Sequence, residues 1–150
     1  MRLWHKDLIH VLPKEQLVAQ WRELSAITGS IQKKGTPNHI LVNFILDYDY
    51  DHFISYAMIV RKEMTSRGYR TMDSVWQKII SLKPEYKIIP FNEIYFNKMD
   101  YEYLTICYYN LYEKYLCKGI TKEDFIKIVK RQIIISMKGE YKGNNDKSFL

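Results

Sequence analysis

Between Pro13 and Gly29 the chain places Leu17, Trp21 and Leu24 at spacings of four and three. On an α-helix that spacing gathers them into one apolar stripe, with Gln16, Gln20 and Glu23 lined up along its edge. The pattern predicts a helix over residues 14–27, started by Pro13, whose fixed φ suits a first turn, and ended before Gly29. It also sets a carboxylate, Glu23, beside a buried seam. Such a position can raise a carboxyl pKa or hold the group against a partner, as acid–base chemistry requires. An ordinary surface glutamate satisfies the same pattern.

The remaining chain reads as further helices. Residues 1–12 carry no Ser, Thr or Asn cap and predict an extended arm. Residues 30–38 have loop composition and bring Lys33 and Lys34 within reach of phosphates. The apolar run 39–46 fits no single periodicity. Asp47, Asp49 and Asp51 offer caps for a second helix over 50–66, with Phe53, Ala57, Val60 and Met64 inward and Arg67-Gly68 closing it. A third helix begins at Thr71-Met72-Asp73 and runs to 82, after which Pro84 and Pro90 bound an irregular connection.

Residues 101–117 predict a fourth helix. Its tyrosines 101, 103, 108, 109, 112 and 115 could stack on bases. Their helical spacing with Leu104, Ile106, Leu111 and Leu116 favours a core role instead. Thr121, with Asp124 three residues on, caps a last helix through 137. Its buried face is expected at Phe125, Val129, Ile133 and Met137, leaving Lys122, Lys127, Lys130 and Arg131 for phosphate. The polar tail 139–150 is expected to be mobile. The fold class is therefore all-α: one compact domain over 1–150, with an extended N-terminal arm and irregular connections.

With 47% hydrophobic residues in 150, the chain can bury a core. Cys107 and Cys117 have neither zinc nor redox spacing and are expected to be buried thiols. The alternating aspartates lack the Gly and distal Glu of a calcium loop, so neither metal nor cofactor is expected. No apolar run approaches the roughly 20 residues of a membrane span. The charged start, broken by His5, Lys6 and Asp7, is unlike a secretory signal. The expectation is a cytoplasmic monomer without membrane contact. Of the formal net charge of +6, the positive excess lies in residues 1–39 and 112–150, while the middle is slightly acidic. A polyanion is the natural partner for such ends.

Together with the Met1-Arg2 start, the stretch Leu17-Val18-Ala19-Gln20-Trp21-Arg22-Glu23-Leu24 resembles the pyrimidine-dimer DNA glycosylase family. A phage member reads Leu-Met-Ala-Glu-Tyr-Arg-Glu-Leu there. A looser likeness runs from His39 through Asp51-His52-Phe53 to Arg67-Gly68-Tyr69. The resemblance implies a DNA repair glycosylase with abasic-site lyase activity, acting on damaged double-stranded DNA. Its nucleophile is the α-amine of the first residue, here Met1. An α-amine with a pKa of about 7.7–8.0 is partly neutral at physiological pH. The family glutamate falls on Glu23, and the flanking basic residues fall on Arg2 and Arg22. Gln16 stands where the phage member has His, and Ala26 where it has Arg. Implied DNA contacts are Arg2, Arg22, Gln16, Lys33 and Lys34. Two other classes fit the same chain: a DNA-binding module without lesion chemistry, and a helical protein-interaction domain.

Overall fold

The computed structural model describes residues 1–138, and the tail 139–150 lies outside them. Among the described residues there are five α-helices and no strand: α1 (Lys14–Lys34), α2 (Tyr50–Ser66), α3 (Asp73–Ile80), α4 (Tyr101–Leu116) and α5 (Lys122–Lys138). Short 3-10 turns occupy Lys6–Val11, Asn43–Asp47 and Phe91–Glu93. The chain is all-α, as expected. Its contacts group into two compact units. One comprises Met1–Leu3 and Glu15–Phe96, the other Trp4–Lys14 and the described residues from Asn97 on.

The first unit is built on α1 and α2. Leu17, Trp21 and Leu24 are buried along α1, and Phe53, Ala57, Val60 and Met64 along α2, matching the two predicted stripes, and buried Ile27 extends the first. Asp49 caps α2 by accepting from the Asp51 amide at 2.9 Å. At the other end Tyr69 N donates to Met64 O at 2.8 Å and Gly68 N to Thr65 O at 3.0 Å, with Gly68 at φ +80°. This is a Schellman ending, which needs a residue at positive φ. Asp49 and Asp51 also pair with Lys83, at 2.7 and 3.0 Å.

The predicted end of α1 was too early. The helix runs straight through Gly29 and ends at Lys34, followed by Gly35 at φ +73°. Gly29 serves a different purpose. A Cβ there would lie 3.2 Å from Lys78 Nζ, so the missing side chain makes room for that ammonium. Lys33 and Lys34 thus sit on the last helical turn, not in a loop.

In the second unit the arm is not extended throughout. Residues Lys6–Val11 coil into a 3-10 turn because His5, outside the usual capping residues, accepts the Asp7 amide on Nδ1 at 3.1 Å. His5 Nε2 donates to the Met99 carbonyl at 2.8 Å, which fixes the neutral tautomer with the proton on Nε2. Burial pushes the His5 pKa down to about 4, against the opposing pull of Asp7. Burial likewise lowers the Lys6 ammonium to about 8.

Arg131 bonds the Asp7 carbonyl through Nε at 3.1 Å and approaches its carboxylate at 3.5 Å. Its guanidinium is thus engaged within the fold, whereas Lys122, Lys127 and Lys130 are exposed. The buried face of α5 is Phe125, Ile128 and Ile135, not the stripe through Ile133 and Met137, which are 51% and 80% exposed. A four-residue repeat overshoots the helical turn by about 40° per step, so 125, 129, 133 and 137 drift off one face. Of the α4 tyrosines only Tyr103 is buried, while Tyr109 and Tyr112 face outward. Cys107 is buried, but Cys117 is exposed at the end of α4.

Candidate active site

Leu3 has no exposed surface, whereas Met1 is 47% exposed. Two turns into α1 the side chain of Gln20 is fully buried. Its Nε2 donates to the Arg2 carbonyl at 3.0 Å and to Glu23 Oε2 at 3.3 Å. Its Oε1 accepts from the Tyr56 hydroxyl of α2 at 2.9 Å. Arg2 and Glu23, 21 positions apart in the sequence, thus share one hydrogen-bond donor. Glu23 is half-buried at the rim of the α1 stripe, where the sequence places it.

The other expected DNA contacts divide by position. Arg22 is exposed, turned about 100° around the helix from Glu23. Gln16 lies one turn before Gln20, half-buried, with its Oε1 buried and without a hydrogen-bond partner. Lys33 and Lys34 are exposed roughly 15 Å further along the axis from Glu23, at a helix end whose carbonyls favour cations. The structure therefore joins Arg2 with Glu23 and keeps Lys33 and Lys34 apart from them. Sequence reasoning missed the two residues that make the join, Gln20 and Tyr56. A polar residue beside the apolar stripe was the only sign of the first; nothing marked Tyr56.

Clefts open in the first unit, two of them well defined. One of about 570 Å³ lies among Met58, Arg61, Lys62, Thr65, Ser66, Trp76 and Tyr86. The other, about 350 Å³, is lined by Ile31, Ile45, Leu46, Tyr48, Tyr50, Phe53 and Leu82. Neither includes Met1 or Glu23.

The described chain is thus a small helical protein whose N-terminal backbone is held, through Gln20, to a first helix that bears Glu23 and exposed cations. The family model for pyrimidine dimer DNA glycosylase matches residues 1–77, and the chain belongs to that family. No curated protein and no solved structure matches it. The match covers α1 and α2 and reaches into α3, so α4 and α5 stand outside it.

Proposed function

We propose that the protein excises cyclobutane pyrimidine dimers from double-stranded DNA and then cleaves the strand at the resulting abasic site. In this reading the neutral α-amine of Met1 attacks sugar C1′. The glycosidic bond breaks with its electron pair on the leaving base, which takes up a proton. Opening of the sugar ring gives an imine between Met1 and C1′. Loss of a C2′ proton then expels the 3′ phosphate by β-elimination. Glu23 assists ring opening and carries the protons. Arg2, Arg22, Gln16, Lys33 and Lys34 hold the DNA around the lesion. Arg2 in the second position is too bulky for the usual removal of the initiator, so Met1 keeps its own amine. A dimer is poorly stacked and paired, which makes it cheaper to open than intact DNA.

The observation that carries this reading is the shared donor between the Arg2 carbonyl and Glu23. It ties the backbone next to the amine to the carboxylate that must act on the same sugar.

The test is borohydride trapping on duplexes carrying a thymine dimer or an abasic site, followed by mapping of the crosslinked peptide. A crosslink at Met1 is expected on both. Glu23→Gln is expected to abolish strand cleavage while the trapped imine persists. Cleavage retained in Glu23→Gln removes Glu23 from the chemistry. No crosslink on either duplex, with the terminus chemically free, leaves a DNA-binding protein without lesion chemistry.

A further inference from the structure

We infer that Gln20 is a positioning residue for this chemistry, aligning the N-terminal backbone with Glu23 and itself held in place by Tyr56. The inference rests on the roles proposed for Met1 and Glu23.

A buried primary amide is costly unless its donors and acceptor are met, so its partners show what the site requires. The two groups facing the Gln20 nitrogen are a main-chain carbonyl and a carboxylate oxygen, at 3.0 and 3.3 Å. A carbonyl oxygen and a carboxylate oxygen both accept hydrogen bonds. The amide can therefore face them only with its NH2 group, which turns Oε1 toward the Tyr56 hydroxyl at 2.9 Å. Gln20 and Tyr56 are both fully buried, so water does not compete for the bond between them. One rotamer of one side chain thus fixes two distant points of the chain together.

What it fixes are the two ends of the proposed reaction. The Arg2 carbonyl oxygen lies less than two residues along the backbone from the Met1 amine, so pinning that oxygen restricts where the amine can reach. The same nitrogen holds one oxygen of Glu23. Catalytic groups must keep productive geometry to within about 0.5 Å, and a misplacement of about 1 Å can cost about 100-fold in rate. An apolar residue at position 20 would fill the seam equally well but would leave both acceptors unaligned.

The test uses the full-length, untagged protein and a duplex with an abasic site. Imine formation is measured in single turnover by borohydride trapping at saturating DNA, beside the Kd for the same DNA and the thermal midpoint of each variant. Gln20→Met keeps the volume and removes both donors. It is expected to lower the saturating rate by about 10- to 100-fold with Kd changed less than about 2-fold. Tyr56→Phe leaves the amide in place without its anchor and is expected to lower the rate about 3- to 10-fold, again with Kd held. Should Gln20→Met fail to fold, the Tyr56→Phe split between rate and Kd decides alone. Native rates in the folded variants overturn the inference while the Met1 chemistry stands. Rate and Kd weakening together overturn it in favour of a merely structural role. Absence of a Met1 imine in the native protein ends both readings.

Discussion

Lys78 Nζ of α3 donates to the Ser25 carbonyl of α1 at 2.9 Å, reaching over the bare backbone of Gly29. The glycine and the lysine are one device. Mid-helix glycine costs about 1 kcal/mol against alanine, and here that cost leaves room for the ammonium. Gly29→Ala is expected to change stability by less than about 0.5 kcal/mol in the native background, because the helical gain is offset when Lys78 is pushed aside. In a Lys78→Ala background the same substitution is expected to stabilise by about 1 kcal/mol. Denaturant midpoints of the four proteins check the coupling; additive effects would refute it.

Arg131 and Asp7 provide the corresponding test in the second unit. The Asp7 side chain is 6% exposed, so removing the guanidinium takes a counter-charge from a carboxylate held away from water. Arg131→Met is expected to destabilise by about 2 kcal/mol. Lys130→Met, on exposed surface, is expected to stay within about 0.5 kcal/mol of native. Equal effects of the two would place Arg131 back among the surface cations.

His5 gives the fold an acid limit. Its pKa falls from 6.5 to about 4 on folding because burial disfavours the imidazolium. Between those two values the unfolded chain binds the proton and the folded one does not, so stability falls as the pH drops from about 6.5 toward 4. The full loss is roughly 3 kcal/mol, and above pH 6.5 His5 adds no slope. Unfolding midpoints measured from pH 7 to 4 should show this decline, and His5→Gln, though less stable overall, should flatten that part of the curve.

Lys33 and Lys34 stand exposed at the end of α1. If they meet phosphates, each should contribute about one unit to the slope of log affinity against log salt. Alanine at both positions is expected to weaken binding to damaged and undamaged duplex alike and to lower that slope by about two. The rate of imine trapping at saturating DNA should not change. An unchanged slope would remove both lysines from the interface.

Where local chemistry decides the structure, the sequence was readable. Asp49 and Arg67-Gly68 bracket α2 at the predicted bounds, since a cap and a positive-φ glycine act within a few residues. Gly29 was misread because its reason, Lys78, lies 49 positions away. His5 was missed as a cap because imidazole seldom takes that role. The α5 face was assigned from every fourth residue, whereas burial follows 125, 128 and 135. The same limit applies to the candidate site. The apolar stripe put Glu23 at a rim, but the link from Gln20 to Arg2 and Tyr56 depends on a tertiary approach that no spacing along α1 encodes.

The unlike surroundings of the two thiols have a practical consequence. Cys107 has no exposed surface, whereas Cys117 ends α4 in the open, and the sequence contains no other cysteine. A maleimide dye should therefore attach at a single position of the native protein without mutagenesis. That label sits beyond the part of the chain covered by the family match. It offers a fluorescent reporter in the second unit for asking whether that unit senses a bound duplex.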